Sequence, residues 1–130
     1  MKKVRVILSP EAEEVYKYLN EDAPTSKTDR MILNAINKKV ELIKVNLHYG
    51  DPIAKNLIPR EYVEKYEITN LFRVELSNYW RMLYTLTDNE TNIEIIAFIL
   101  DMLEHSDYDK KFGYRKKITI KIYFFQPSMF

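Results

Sequence analysis

The sequence predicts an α+β domain in which an N-terminal strand and a helical hairpin precede a three-stranded antiparallel meander over residues 71–100. Three observations carry this expectation. The string LFRVELSNYWRMLYTL, residues 71–86, alternates apolar and polar side chains on either side of a short polar break, as the two strands of a half-buried hairpin do. The run 93–100 is apolar at every position except Glu94, as in a strand covered on both faces. Residues 26–47 instead carry apolar side chains three and four apart, the period of an amphipathic helix.

At the start, Val4, Val6 and Leu8 alternate with Lys3, Arg5 and Ile7, which suits a half-buried strand. Ser9-Pro10-Glu11 then supplies a helix start: a hydroxyl to cap the first turn, a proline with no amide hydrogen to lose, and an acid facing the positive helix end. The first helix is expected to run to about Leu19, with Ala12, Val15, Tyr16 and Leu19 on one face. Asp22 and Pro24 mark a connection, and Ser26 followed by Asp29 resembles a capping box for the second helix. Ile32, Ile36, Val40, Ile43 and Leu47 form its apolar stripe, widened by Leu33, Ala35 and Leu42. Two consecutive helices of this kind need an apolar surface to cover, and the meander offers one. Gly50-Asp51-Pro52 reads as the stop of the second helix, and residues 53–69 as a structured connection with one short helix over 59–66.

Residues directly opposite in an antiparallel pair share a face, so keeping both apolar sets inward requires Leu76 opposite Trp80 and Val74 opposite Met82. A three-residue loop remains, Ser77-Asn78-Tyr79, with Asn78 suited to the left-handed position. The same register sets Glu75 opposite Arg81 on the outer face, in a strip that includes Arg73, and assigns Trp80 to the core. Residues 88–92 carry turn chemistry. In 116–125, Ile118, Ile120, Ile122 and Phe124 alternate with Thr119, Lys121, Tyr123 and Phe125, the pattern of a further strand. An unpaired tail strand is a reason to consider a homodimer, because open sheet edges invite pairing.

At 130 residues the chain has the length of one domain, and a hydrophobic share of 46% with only two glycines excludes a linker or disordered tail. With no cysteine, neither a disulfide framework nor a thiolate metal site or nucleophile is available, and a reducing cytoplasm fits. The opening MKKVRVIL has the charge and apolarity of a signal-peptide start, but Arg5 and the acids from Glu11 onward interrupt it. No run approaches the roughly eighteen apolar residues of a spanning helix, so no membrane partner is expected. A net charge of +1 excludes a strongly basic nucleic-acid binder and leaves room for a local basic patch. There is no Gly-rich phosphate loop, histidine metal spacing or hydrolase serine motif, so no cofactor or metal is expected.

The order of elements, with LFRVELSNYWRMLYTL and the later IEIIAFILDMLEHSDYDKKFGY, resembles the RelE/ParE superfamily of toxins from type II toxin–antitoxin systems, in an archaeal RelE-like subgroup. The resemblance covers residues 4–114 and is most specific at Arg81 within YWRMLY and at HSDYD, residues 105–109; residues 115–130 are unassigned. It implies a small cytoplasmic toxin held inactive by a helical segment of a cognate antitoxin. RelE-like members cleave mRNA on the ribosome, ParE-like members poison DNA gyrase without being enzymes, and a degenerate member would only bind a partner. In the RNA-cleaving branch, basic side chains on the meander hold the scissile phosphate, and a tyrosine or histidine near the C-terminal end helps move protons. Attack by the ribose 2′-hydroxyl requires that division of labour: a base, an acid for the leaving oxygen, and cations for the developing charge.

Carried over by the resemblance, Arg81 matches the phosphate-binding arginine and Arg73 stands at a strand lysine. His105 falls at the place of a catalytic histidine or arginine, with Tyr108 nearby. Glu75 stands where RelE has a second lysine, and an acid there either repels substrate or acts as a general base. Lys55, Arg60 and Lys65 form a candidate RNA-facing rim. Each assignment has a plainer counterpart: an exposed Arg81–Glu75 ion pair worth ~0.2 to 1 kcal/mol, a solvated His105, amphipathic packing for Tyr108, and a solvated connection for the basic rim. His48, near the end of the second helix, reads as structural, since a cation there suits the helix dipole.

Overall fold

A computed structural model of the chain describes residues 3–88 and 94–112. In chain order the elements are β1 (Lys3–Leu8), α1 (Pro10–Asp22), α2 (Lys27–Val45), β2 (Asp51–Pro52), α3 (Arg60–Tyr66), β3 (Phe72–Glu75), β4 (Trp80–Asp88), β5 (Glu94–Glu104) and α4 (His105–Phe112). The architecture is α+β. Its single sheet has the strand order β1-β5-β4-β3-β2, antiparallel from β2 to β5, with β1 added parallel to β5. The strand expected over 116–125 lies outside the described residues. No described helix is long and apolar enough to cross a membrane.

Local chemistry sets the helix starts. Ser9 Oγ accepts the Ala12 amide at 3.0 Å, and the Ser9 amide donates to the Ile99 carbonyl at 2.8 Å. One buried residue therefore caps α1 and extends the β1–β5 ladder. Ser26 Oγ accepts the Asp29 amide at 3.1 Å to cap α2. Helix α1 continues to Asp22, beyond the expected end near Leu19.

The end of α2 departs from expectation. It closes at Val45, so Leu47 lies past the helix, where its carbonyl accepts the Tyr84 hydroxyl at 2.7 Å. Gly50 is not a helix stop. Its amide donates to the same hydroxyl at 3.0 Å, and a Cβ there would sit 3.0 Å from both the Arg73 carbonyl oxygen and Tyr84 Cε1. Glycine is required because the connection touches the sheet, which then allows Asp51–Pro52 to pair as the short edge strand β2.

The β3–β4 hairpin has the expected register, Val74 opposite Met82 and Glu75 opposite Arg81, closed by the Leu76 amide on the Trp80 carbonyl at 2.8 Å. Asn78 and Tyr79 both take positive φ in the loop. Strand β5 runs past the expected 100 to Glu104, and its register on β4 shifts between Leu83 and Tyr84. That bulge switches the alternation, so that Ala97, Ile99 and Met102 all reach one core although Met102 breaks the two-residue period.

One core lies between the helical hairpin and the sheet, built on Leu19, Ile32, Ile36, Val74, Met82 and Tyr84, with a half-buried Trp80 at its margin. The opposite face is not the open polar strip that alternation implies. A second core of Tyr62, Ile68, Leu71, Leu83 and Tyr108 covers much of it, supplied by α3, its flanking connections and α4. Those segments contribute apolar residues without a regular period, so periodicity could not reveal them. Polar groups fix this layer to the sheet. The Asn70 side chain exchanges two bonds with the Leu86 backbone in the manner of a strand residue, and Thr85 Oγ1 donates to the Asn70 carbonyl at 2.7 Å. Asp101 accepts the Tyr62 hydroxyl at 2.8 Å and Lys111 Nζ at 3.4 Å.

Candidate functional site

Where the second layer stops short of β3, the sheet presents Arg73, Glu75 and Arg81. Hairpin register places Arg73 opposite Leu83 and Glu75 opposite Arg81, and the next pairing sets Arg81 opposite Leu103. Two arginines on one face of neighbouring strands thus follow directly from the alternation of 71–86. Helix α4 then folds back after β5 and inserts Tyr108 beneath them.

Tyr108 is 1% exposed, and Phe112, one turn later, stacks on its ring with centroids 4.3 Å apart. The Arg81 guanidinium lies over the other part of this assembly, 4.9 Å from the Tyr108 ring centroid, a cation–π contact in a partly desolvated place. The Tyr108 hydroxyl, and with it the Asp51 carboxylate, holds Arg73 more firmly in its charged form than an ordinary arginine. The Arg81 guanidinium is thus supported from below by an aromatic ring. The two arginine side chains are 16% exposed for Arg81 and 31% for Arg73, so they are rim groups with buried stems and not free surface arms.

Each guanidinium also meets an exposed carboxylate. Arg81 Nη2 is 3.5 Å from Glu75 Oε1, and Arg73 Nη2 is 3.3 Å from Asp51 Oδ2. These are long contacts to exposed carboxylates, and ion pairs of that kind are worth ~0 to 1 kcal/mol. Displacing such a carboxylate by a group that engages the guanidinium in two parallel bonds is favourable, and phosphate is that kind of group. Arg73 Nε is buried and has no hydrogen-bond partner among the described residues, so a donor there retains a desolvation cost that a bound anion would offset.

Four of the residues singled out from the sequence, Arg73, Glu75, Arg81 and Tyr108, are therefore brought together. His105 opens α4, on the segment that leads to Tyr108. Lys55 stands in an exposed 3-10 turn, and Arg60 begins α3, paired with Glu64 at 3.1 Å with both side chains exposed. Among the described contacts none joins Lys55 or Arg60 to the arginine pair. Lys65 bonds Glu11. His48 meets the edge of Phe72, with ring centroids 5.5 Å apart, and has a packing role.

Two participants were not legible in the sequence. Asp51 reaches Arg73 through the β2–β3 pairing, which requires the unforeseen seat of Gly50. Phe112 acts through a helix whose position depends on the second core. No cluster of three or more His, Asp or Glu side chains among the described residues is arranged to hold a metal ion. No family model, curated protein or solved structure matches the chain.

Proposed function

We propose that this chain is the toxin of a type II toxin–antitoxin pair and acts as an endoribonuclease on ribosome-bound mRNA, with Arg73 and Arg81 holding the scissile phosphate. The observation that supports this reading is that Arg73 and Arg81 share one face of paired strands, with the Arg81 guanidinium 4.9 Å from the Tyr108 ring centroid. Two preorganised cations at one patch are what the pentacovalent phosphate of RNA cleavage needs, because negative charge accumulates on its non-bridging oxygens. In the reaction the ribose 2′-oxygen forms a bond to phosphorus as the bond to the 5′-oxygen breaks. The 2′-proton leaves to a base, for which the exposed Glu75 beside Arg81 is the candidate carboxylate, and the 5′-oxygen takes a proton from His105 or Tyr108. The cytoplasm, where ribosomes are, is the site of action in this reading.

A binding-only role is favoured by one specific observation: Glu75 and Asp51 already face the two cations, and the Tyr108 ring is enclosed. Such a chain would bind an antitoxin-like segment, or gyrase in the ParE manner, without cutting RNA.

Induced expression separates these outcomes. The nuclease reading expects translation to stop with mRNA cut inside coding regions, and Arg81→Ala to reduce cleavage by about 10²- to 10³-fold, the usual loss when one charge-stabilising donor is removed. Full toxicity of Arg81→Ala with intact mRNA would overturn it. DNA damage that disappears in a gyrase-resistant host would favour the gyrase-binding role, and normal growth on expression the partner-binding one.

A further inference from the structure

The side chain of Lys111 is only 6% exposed, an uncommon place for a lysine on the last turn of a short helix. Its ammonium sits in a socket made by two other elements. Nζ lies 4.8 Å from the centroid of the Tyr62 ring on α3, 3.4 Å from Asp101 Oδ2 on β5 and 2.9 Å from Glu61 Oε2 on α3. The same Asp101 oxygen accepts the Tyr62 hydroxyl at 2.8 Å. Burial, and after it the Asp101 carboxylate, raise the pKa of that hydroxyl, so it remains a donor. Asp101 is 13% exposed whereas Glu61 is half-exposed, so the pair with Asp101 is the one shielded from water. A buried ion pair adds little to stability over apolar side chains of equal volume, and its best-supported use is to select one packing geometry.

Strand register shows which geometry that is. Asp101 pairs with Leu83, and Leu103 with Arg81, so Arg81 lies two residues before Leu83 on β4, a step of roughly 7 Å. Tyr108 lies three residues before Lys111 on α4, a step of about 4.5 Å that leaves both side chains on one helix face. The contacts of Lys111 with Asp101 and of Tyr108 with Arg81 therefore run α4 antiparallel to β5 and anchor it at two successive places along the β4–β5 ladder. An eight-residue helix is too short to hold itself without such anchors.

We propose that Lys111 is a positioning residue for the arginine site: by seating its ammonium against Asp101 it fixes α4 lengthwise on the sheet and so sets the Tyr108 ring beneath Arg81. A slip of one residue would move the helix ~1.5 Å and turn it by ~100°, taking the ring out of reach of a guanidinium that now lies 4.9 Å from its centroid. The apolar contacts of the second core resist such a slip weakly, because hydrophobic burial is non-directional. The ammonium resists it through hydrogen bonds that hold in one place only. For its effect on cleavage the proposal rests on the nuclease reading; its effect on Arg81 does not.

NMR of the full chain tests this. In the unaltered protein the Tyr108 ring current is expected to shift the Arg81 side-chain protons upfield, with Tyr108→Leu giving the unshifted reference. Lys111→Met keeps the aliphatic stem and removes the charge. It is expected to abolish most of that shift while the β3 and β4 amide signals stay in place, and Lys111→Arg is expected to restore it. Asp101→Asn, which still offers an oxygen to the Tyr62 hydroxyl, is expected to act as Lys111→Met does, and it decides the matter if Lys111→Met does not fold. A full shift retained in either folded variant, or no recovery in Lys111→Arg, overturns the proposal. With cleavage as the readout, kcat of Lys111→Met should fall by up to about a hundredfold with KM little changed, the loss that misplacement of a supporting group brings. An unaltered chain that cuts no RNA would overturn the nuclease reading, with the NMR result still deciding the positioning role. Unchanged kcat beside a lost shift would overturn the link between Lys111 and the reaction.

Discussion

Tyr108 has more to do than any other single residue at the arginine pair. Its ring lies under Arg81, its hydroxyl adjoins Arg73, and its buried body fills the second core against Leu83 and Phe112. These roles separate under substitution. Tyr108→Phe retains the ring and the packing and should change unfolding free energy by no more than ~1 kcal/mol, the net worth of an ordinary hydrogen bond. Tyr108→Ala removes the ring and leaves a cavity, at a cost of ~3 to 5 kcal/mol. Urea unfolding of the two variants side by side tests this, and equal losses would show that the hydroxyl, not the ring, holds the site together. The alternation of 71–86 placed Arg73, Glu75 and Arg81 on one face and was sufficient for that. It could not place Tyr108 beneath them, because a helix that folds back across a sheet is positioned by contacts with distant strand residues such as Leu83 and Arg81, not by its own pattern.

Among the elements, the connection from α2 to β3 departs most from its sequence reading. Gly50-Asp51-Pro52 has the composition of a helix stop, yet Asn46 caps the helix, and the glycine admits the backbone to within contact of β3 and Tyr84. That approach delivers Asp51 to Arg73. Gly50→Ala would press a methyl group against the Arg73 carbonyl oxygen, a backbone atom that cannot rotate away, so an overpacking cost of ~1 to 3 kcal/mol is expected. A denaturation midpoint equal to that of the unaltered chain would show that the connection yields and that β2 is not held by this contact. The bulge on β5 is the other element-scale surprise. An uninterrupted apolar run hides it, since an extra apolar residue within such a run leaves no polar residue out of step.

For the molecule as a whole, the helical hairpin and the second layer are joined at the rim by Glu11 of α1, which accepts from Lys65 and from the Tyr66 hydroxyl of α3. The Lys65 ammonium, and after it Tyr66, lower the Glu11 carboxyl from 4.5 to about 2. A carboxyl depressed on folding stabilises the folded state fully above its unfolded value and loses that contribution as pH falls through the folded one. Stability from this link should therefore be complete above 4.5 and decline towards 2, by a modest amount because the pair is exposed and screened by solvent. Urea midpoints measured across that interval should fall less steeply for Glu11→Gln than for the unaltered chain, and parallel slopes would show that the tie does not survive in solution.

Local order was determined by the sequence alone: the α+β class, both serine-capped helices, the hairpin register with its Asn78 loop, and the outward pairing of Glu75 with Arg81. Each of these depends on neighbours a few residues apart, where periodicity and capping chemistry act. Only the tertiary structure decided that β1 joins β5 in parallel, that a second core covers the far face, and that Asp51 and Tyr108 close around the arginines. Those outcomes arise from long-range burial, in which irregular segments such as 53–69 earn their place by shape and apolar area, properties that leave no period to read.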